Sequence, residues 1–366
     1  MRLTVLNVAY PFAHVGQDAI GGAEQVLSQV ESALVEAGHE SLVLACKGSK
    51  TKGRLFPTSK CSEPITDEVR QKHWRECTIK IREICLEWQV DLVHYHGIDF
   101  YEYLPQDDTP ALVTLHLPPS WYPAAILRTP RPNTWFHCVS RSQMEQCPGM
   151  HLLPVIENGV SEFFGQKMFR KCLYAICLGR ICPEKGFHLA ADAARQAGVP
   201  LILAGAVFPY QAHQDYFDNE IRPRLGPDCR FIGPIGFRQK HRWLGRARCL
   251  ILPSLVPETS SLVAMEALAC GTPVVAFTTG ALPSIIDHGK TGFLARDLPE
   301  MAAAIRKVTQ LDPQACRRAA QTRFSLQRMC TCYLECYQML VRQTRRPLKK
   351  LESKTRVDWL NACSQR

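Results

Sequence analysis

The stretch PETSSLVAMEALACGTPVVAF, residues 257–277, joins a short apolar helix pattern to a buried strand pattern and carries two glutamates, Glu258 and Glu266. The pattern predicts that Glu258 lies where the helix begins and that Glu266 lies inside it. Eight helical residues advance about 12 Å and turn about 800°, so the two carboxylates would differ by about 80° around the axis. We therefore expect both carboxylates to line one side of an elongated groove.

Small hydroxyl residues separate the two glutamates. The segment TSSL offers Ser260, Ser261 and Leu262 at the predicted helix start, where free backbone N–H groups and the helix dipole favour a phosphate. A carboxylate, a phosphate seat and a second carboxylate suit a sugar, a diphosphate and a ribose in that order. The alternative is that Glu258 belongs to a helix cap and Glu266 is a buried acid with a protein partner, since an unpaired buried acid is costly.

Strand patterns alternate with helical patterns along the whole chain. The first five predicted strands are LTVLNVAYPF, ESLVLAC, VDLVHYH, ALVTLH and TWFHCVS. The rhythm breaks at EFFGQKMFRKCL, residues 162–173, and restarts with YAICLGR, PLILAGA, CRFIGPI, RCLILPS and PVVAF. This alternation predicts an α/β protein with two Rossmann-like, doubly wound parallel sheets.

The break in the pattern predicts three segments. Residues 1–165 form an N-terminal Rossmann-like domain. Residues 166–325 form a C-terminal Rossmann-like domain. Residues 326–366 form a last helix that crosses back toward the first domain, followed by a basic tail. Ligands of such sheets lie at the carboxyl ends of the strands, so the expected site is the cleft between the domains.

Composition points to a folded cytoplasmic protein. The chain has 366 residues, of which 46% are hydrophobic and 21% are charged, and its apolar runs are too short to span a bilayer. Seventeen cysteines in a chain without a recognisable export signal are expected to be reduced thiols. The tightest group, Cys330, Cys332 and Cys336, lacks the CxxC or histidine spacing of a zinc site. We predict no metal site and no bound cofactor.

The net charge of +10 is unevenly distributed. Residues 1–165 carry an acidic excess, and the strongest basic excess lies in residues 306–366, which include RQTRRPLKKLESKTR. This end is compatible with a peripheral contact at the inner membrane surface, and a solvated tail is the alternative. Nucleic acid is not expected as a partner, because no basic patch is interleaved with aromatic residues at a recognisable spacing.

Two cations and a glycine pair occupy predicted strand-to-helix turns. Arg180 and Lys185 lie in LGRICPEKGF, where the carboxyl end of a strand meets a helix and anionic ligands are commonly held. Gly21 and Gly22 open the first helix and leave room for an anion at its N-terminus. They are not followed by the third glycine of GxGxxG, which argues against a nicotinamide or flavin cofactor.

Histidines end two of the predicted strands. His116 ends LVTLH and is expected to face the cleft, although a lone histidine is often structural. The same reasoning applies more weakly to His94 and His96 in VHYHG. The sequence contains no Asp-x-Asp triplet, so a metal-bridged diphosphate has no obvious carboxylate clamp.

These stretches resemble the family-4, or group 1, glycosyltransferases, which are retaining enzymes with the two-Rossmann GT-B fold. The E-x7-E signature is Glu258…Glu266, the GR-x4-KG pattern is GRICPEKG, and the domain-linking NGV is residues 158–160. The N-terminal pair Gly21 and Gly22 matches as well. The last helix, RFSLQRMCTCYLECYQ, is similar to the family's F-S…M…Y-L-E-x-Y ending.

The resemblance is dense from residue 175 to 340 and implies a role for each motif. Glu258 would contact hydroxyls of the transferred sugar, Glu266 would contact the ribose, and His116 would lie at the reacting side of the sugar. Attack from the front face would retain the anomeric configuration without a protein nucleophile. The departing diphosphate would receive the acceptor's proton.

The resemblance also implies which groups hold the diphosphate. Arg180 and Lys185 would neutralise its charge, helped by the backbone amides of Ser261 and Leu262. The amide of Gly22 would add to this set from the other domain. The co-substrate is then a nucleoside-diphosphate sugar, with a UDP-sugar favoured, and the acceptor is a glycan, a lipid-linked glycan or a small molecule. Polysaccharide biosynthesis is the expected context.

Two departures from the family pattern affect the expected ligand contacts. Thr259-Ser260-Ser261 stands where the family commonly has Gly-Phe-Gly/Pro, which changes the shape that faces the sugar. Ser284 stands where the family often has Glu. The acceptor is expected to meet N-terminal loops such as residues 47–65 and 97–110.

Two alternatives remain from the sequence. One is a non-catalytic nucleotide-sugar-binding protein or scaffold of a glycan pathway. The other is a related two-Rossmann enzyme such as a nucleotide-sugar 2-epimerase. The presence of Arg180, Lys185, Glu258 and Glu266 together favours the transferase.

Overall fold

Two six-stranded parallel sheets organise the chain and confirm the predicted α/β class. The computed structural model describes residues 1–60, 65–105, 107–128, 131–161 and 169–345. We call the part around the first sheet the N-terminal unit and the part around the second sheet the C-terminal unit. The predicted boundary near residue 165 lies outside the described residues and stays a prediction.

The first sheet has the strand order β3-β2-β1-β4-β5-β6, with every neighbouring pair parallel. Its strands are β1 (Thr4–Val8), β2 (Glu40–Cys46), β3 (Arg54–Thr58), β4 (Leu92–Tyr95), β5 (Ala111–Leu115) and β6 (Thr134–Cys138). The helices of this unit are α1 (Gly22–Glu36), α2 (Asp67–Trp88), α3 (Ala124–Arg128) and α4 (Arg141–Met144). Side chains of β4 and β5 are buried on both faces, as expected where helices cover a parallel sheet.

The second sheet repeats the same winding, in the order β12-β11-β10-β7-β8-β9. Its strands are β7 (Ala175–Leu178), β8 (Leu201–Ala204), β9 (Cys229–Phe231), β10 (Leu250–Leu252), β11 (Val274–Phe277) and β12 (Gly292–Ala295). The remaining helices are α5 (Phe187–Ala197), α6 (Gln211–Tyr216), α7 (Phe237–Arg246), α8 (Leu262–Ala269), α9 (Leu282–Ile285), α10 (Leu298–Lys307), α11 (Pro313–Arg323) and α12 (Leu326–Arg345). The strand order reverses between β1 and β4 and between β7 and β10, which are the positions where such sheets bind ligands.

The last helix, α12, returns to the N-terminal unit. Its buried residues Met329, Tyr333 and Leu340 share an apolar core with Val5 of β1 and Leu112 of β5. Cys330 and Cys336 lie in the same core. They are buried there among apolar side chains, where cysteine acts as a small hydrophobe.

Two segments that the sequence marked as loop and tail are described as follows. The segment 47–65 was expected to be a loop, but it contains the edge strand β3, which pairs with β2 from Leu42–Arg54 to Cys46–Thr58. The basic tail falls mostly within residues 346–366, outside the described residues. Among the residues that the structure does describe, no helix is both long and apolar enough to cross a membrane.

Candidate active site

A cleft of about 1600 Å³ lies where the carboxyl ends of the two sheets face each other. Its volume is larger than that of a typical pocket for one ligand, so it has room for two ligands. Ten residues that the sequence singled out line it: Gly21, Gly22, His116, Arg180, Lys185, Glu258, Ser260, Ser261, Leu262 and Glu266. The structure thus brings these ten residues into one place, and their individual roles stay predictions.

Two helix N-termini meet across this cleft. Helix α1 begins at Gly22, and helix α8 begins at Leu262. A Cβ atom added to Gly22 would lie 3.5 Å from Cδ1 of Leu262, so the two first turns are in near contact. The positive ends of both helix dipoles therefore face the same space, which favours an anion there.

Gly21 has a close neighbour in the first turn of α1. A Cβ atom added to Gly21 would lie 1.9 Å from Oε2 of Glu24, so the glutamate carboxylate occupies the space beside this glycine. Glu24 is buried, and burial raises its pKa, while the nearby charge of Arg180 acts in the opposite direction. The sequence analysis did not single out Glu24, although it lies in the first turn of α1 and lines the cleft.

The expectation that both glutamates lie on one helix is wrong. Helix α8 begins only at Leu262, with Ser261 as the residue before it, so Glu258 lies in the preceding loop. The carbonyl of Ser261 accepts the first helical hydrogen bond from the N–H of Met265, at 3.1 Å. The 12 Å spacing and 80° offset expected for one continuous helix therefore do not apply.

Glu258 forms an ion pair with a residue of the predicted phosphate site. Its Oε1 atom lies 2.6 Å from Nζ of Lys185 and also accepts a hydrogen bond from the hydroxyl of Ser254. The Glu258 side chain is 10% exposed and that of Lys185 is 27% exposed. Lys185 therefore neutralises Glu258 in this structure, and its position is set by that carboxylate.

Glu266 has a partner that sequence reasoning missed. Nζ of Lys240, on helix α7, lies 2.5 Å from Oε1 of Glu266, and the two side chains are 10% and 6% exposed. Burial raises the pKa of Glu266, and the lysine charge counteracts this shift. Lys240 also lies 3.4 Å from Oε1 of Gln25 on helix α1, so it spans both units. The alternative of a buried acid with a protein partner is correct for the geometry of Glu266.

Arg180 presents its charge to the cleft. Its guanidinium lies 6.0 Å from the ring centre of Phe208. Among the described residues, no carboxylate lies within 4.0 Å of this guanidinium. Lys185, by contrast, is already paired. Arg180 is therefore the cation best placed to meet an added anion between the two helix N-termini.

His116 lies at the end of β5 as expected. Its Nε2 atom is 3.0 Å from Nδ1 of His96, and its backbone carbonyl accepts a hydrogen bond of 2.7 Å from Thr259 of the C-terminal unit. Burial lowers the pKa of His116 to about 3, so its ring is neutral near pH 7. His96 also lines the cleft. His94 does not face it as expected, because it is buried between Thr114 and Tyr337 of α12, 2.7 Å from each.

The two departures from the family pattern have different surroundings. The hydroxyl of Ser260 is buried and has no hydrogen-bond partner among the described residues. The hydroxyl of Ser284 donates a hydrogen bond of 2.7 Å to the carbonyl of Ala281. Ser284 is therefore satisfied within its own short helix.

The GT-B class of glycosyltransferase folds is defined by two such Rossmann-like units around a cleft, and solved structures similar to this chain have that fold. Sucrose-phosphate synthase from Thermosynechococcus elongatus superposes with a TM-score of 0.75 at 19% identity, over 92% of this chain and 99% of that one. Anabaena HepE, solved with UDP-glucose, superposes with a TM-score of 0.70 at 19% identity, over 92% and 99%. Likeness at this level of identity concerns the fold.

Sequence comparison gives the family. The family model described as Glycosyltransferase Family 4 matches residues 20–161, and the model described as Glycosyl transferases group 1 matches residues 173–310. Glycogen synthase of Mycobacterium tuberculosis is 25% identical, over 96% of this chain and 98% of the relative. The chain belongs to the group 1 glycosyltransferases, as its motifs predicted.

Proposed function

We propose that this protein is a retaining, metal-independent hexosyltransferase that moves a sugar from a nucleoside-diphosphate sugar to a glycan, lipid-linked or small-molecule acceptor. A UDP-sugar is the favoured donor. The observation that carries the proposal is the meeting of two helix N-termini, at Gly22 and Leu262, beside the guanidinium of Arg180. The known complexes of Anabaena HepE with UDP and with UDP-glucose support the choice of donor.

The diphosphate lies between the two units in this proposal. The amides of Gly22, Ser261 and Leu262 donate to its oxygens, and the guanidinium of Arg180 pairs with its charge. These groups are fixed before the reaction and are arranged where negative charge grows as the diphosphate departs. Preorganised donors of this kind are commonly a large contribution to enzymatic rate enhancement.

The nucleoside lies on the Glu266 side of the diphosphate. A carboxylate there accepts hydrogen bonds from ribose hydroxyls, and the charge of Lys240 opposes the rise that burial causes in the pKa of Glu266. Two cations, Arg180 and Lys240, therefore border the nucleotide, one at the diphosphate and one behind the ribose-binding acid.

The sugar lies between Glu258 and His116. Glu258, oriented by Lys185 and Ser254, accepts hydrogen bonds from sugar hydroxyls. His116 is neutral, and because its Nε2 atom is paired with His96, its Nδ1 atom is the one that meets the reacting side of the sugar. The acceptor oxygen attacks from the face that the diphosphate leaves, and the diphosphate takes the acceptor's proton. No protein nucleophile and no metal takes part in this step.

The acceptor approaches from the N-terminal unit. We place the protein in the cytoplasm, in polysaccharide biosynthesis, with the basic C-terminal end compatible with an acceptor at the inner membrane surface.

The test is nucleotide release from a panel of nucleotide sugars, with mixed glycan acceptors, no added metal and a chelator present. Wild type is compared with Arg180→Ala, Glu266→Ala and the exposed control Arg230→Ala. We expect release from one donor in wild type and in the control, and a loss of at least about a hundredfold in the two cleft variants. Tight binding without turnover in wild type would favour a binding protein, and no binding of any donor would refute the assignment.

A further inference from the structure

A second cluster of reactive side chains borders the cleft on the C-terminal unit. The thiol of Cys182, a carboxylate oxygen of Glu184 and a ring nitrogen of His213 all lie within 4.8 Å of one another. Cys182 and Glu184 belong to the turn between β7 and α5, and His213 belongs to α6. The sequence analysis missed this group because the histidine is 31 residues from the cysteine and no short motif joins them.

The geometry points to a zinc site at Cys182, Glu184 and His213, and we propose that this cluster binds one Zn²⁺ per chain. Thiolate, carboxylate and imidazole are the donors that zinc takes, and a water as the fourth ligand completes the tetrahedral geometry here. Binding releases the proton of the Cys182 thiol, because the thiolate is the ligand.

The distances fit after a small adjustment. Tetrahedral zinc with bonds of about 2.0–2.3 Å sets its ligand atoms about 3.3–3.8 Å apart. The distances between the three donor atoms therefore shorten by about 1 Å on binding. Cys182 is 1% exposed and is held by the core, whereas Glu184 and His213 are half-buried and have room to move.

The histidine supplies an independent observation. Its Nδ1 atom is buried and has no hydrogen-bond partner among the described residues. A buried imidazole nitrogen without a partner is costly, and a metal bound by that nitrogen would remove the cost. The ring is held in place by contacts with Phe208 and Tyr210, with ring centres 6.2 Å and 5.2 Å away.

The metal would join two elements of the C-terminal unit. It would fix the turn that carries Arg180 and Lys185 to helix α6. Glu184 is the one member of the three that lines the cleft, so the role of this zinc is to hold the turn and not to bind the diphosphate. The inference therefore stands whether or not the proposed transfer reaction is correct.

The experiment measures zinc binding to reduced, chelator-treated protein by equilibrium dialysis. We expect one Zn²⁺ per wild-type chain, and an affinity weaker by about tenfold or more in Cys182→Ser and in His213→Gln. Cys172→Ser removes an exposed thiol and is the matched control, which keeps the wild-type affinity. Circular dichroism verifies that each variant is folded.

Two further measurements make the result specific. Co²⁺ added in place of Zn²⁺ gives a thiolate charge-transfer band in wild type, and this band is absent in Cys182→Ser. A double variant, Cys138→Ser with Cys147→Ser, removes a thiol pair whose members contact each other elsewhere. Retention of tight zinc in Cys182→Ser, its loss in the Cys138 and Cys147 variant, or no tight zinc in wild type would each overturn the proposal.

Discussion

Oδ1 of Asp18, in the N-terminal unit, accepts a hydrogen bond of 2.6 Å from the backbone N–H of Phe237, the first residue of α7 in the C-terminal unit. The residue before α7 is Gly236, which has no side chain to cap the helix. Asp18 thus supplies the cap from the opposite side of the cleft. Helix α7 also carries Lys240. The contact between the two units at Asp18 and the ion pair of Glu266 therefore depend on the same helix.

Replacement of Asp18 by Ala is expected to favour an open cleft. The cap contributes about 1 kcal/mol, and it does so only while the two units are in contact. We expect a larger radius of gyration in small-angle X-ray scattering and a KM for the donor raised about fivefold. Asp297→Ala is the control, because Asp297 caps α10 within one unit through the N–H of Glu300. A control that opens the molecule as much as Asp18→Ala would contradict this prediction.

Replacement of Lys240 by Met is expected to cost both stability and nucleotide binding. It leaves the carboxylate of Glu266 buried and unpaired, which costs about 3–5 kcal/mol of unfolding free energy. The double variant Lys240→Met with Glu266→Gln should recover most of that stability and still bind nucleotide poorly. Denaturant unfolding and titration calorimetry with UDP measure the two effects.

An exposed ion pair gives the reference for that measurement. Arg296 and Glu300 are paired on the surface, with Arg296 84% exposed. Arg296→Met should change the unfolding free energy much less than Lys240→Met does, because solvent screens an exposed pair. Equal losses in Arg296→Met and Lys240→Met would show that the buried pair has no special importance.

Stability is expected to fall as the pH drops below 6.5, because several histidines are buried neutral. Burial lowers the pKa of His116 to about 3 and that of His137 to about 4. Between pH 6.5 and these values, the unfolded chain binds protons at these residues that the folded chain does not. Each such histidine therefore removes about 1.4 kcal/mol of unfolding free energy per pH unit.

The variant His137→Gln isolates one of these protons. Its unfolding free energy should depend on pH between 5 and 6.5 with a slope lower by about one proton than that of wild type. Glu266, whose pKa burial raises, has the opposite pH dependence, but it is present in both proteins and cancels in the comparison. The exposed His151→Gln should retain the wild-type slope. Identical slopes in all three proteins would contradict the prediction.

The two ends of helix α5 allow a matched test of the turn beside Lys185. Gly186 and Gly198 both have left-handed φ angles, of 64° and 68°. A Cβ atom on Gly186 would lie 2.2 Å from the carbonyl oxygen of Pro253, whereas one on Gly198 would meet nothing within 4 Å. Gly198→Ala should therefore cost about 1 kcal/mol of unfolding free energy, from backbone strain alone.

Gly186→Ala should cost at least about 2 kcal/mol more, and it should weaken donor binding, because the displaced turn carries Arg180 and Lys185. Thermal unfolding and donor titration of the two variants give the comparison. Similar losses of stability in both variants would show that the close approach to Pro253 is unimportant.

Ten of the twelve strands were predicted because they are apolar runs set between turn residues, as in ESLVLAC, which is β2 from end to end, whereas β3 and the short β12 were not. Strand β3 escaped prediction because RLFPT lies at a sheet edge, contains a proline and is only partly buried. Residues 259–261 have hydroxyl side chains suited to a helix start. Tertiary hydrogen bonds hold this segment outside the helix instead. The hydroxyl of Thr259 donates to the carbonyl of His116, and the carbonyl of Glu258 accepts from the N–H of Ala281.

The residues of the site were predictable where a local pattern marked them, as GRICPEKG marks Arg180 and Lys185. Lys240 was not, because FRQKHRWLGR reads as a basic surface helix and its partner is 26 residues away. The position of His94 was predicted wrongly for a related reason. It contacts Tyr337 of α12, which is 243 residues away in sequence, and no local pattern marks that contact. Long-range polar pairs leave no periodic signal in a single sequence.

The return of α12 to the first sheet affects the order in which this protein can fold during synthesis. Val5 and Leu112 are made early, but the core that covers them includes Tyr333 and Leu340, which are made after the strands of both sheets. Helix α1 covers part of that sheet face from the start, whereas the part that α12 covers stays exposed until the C-terminal unit has been translated. The N-terminal unit therefore completes its core only after the C-terminal unit has been made.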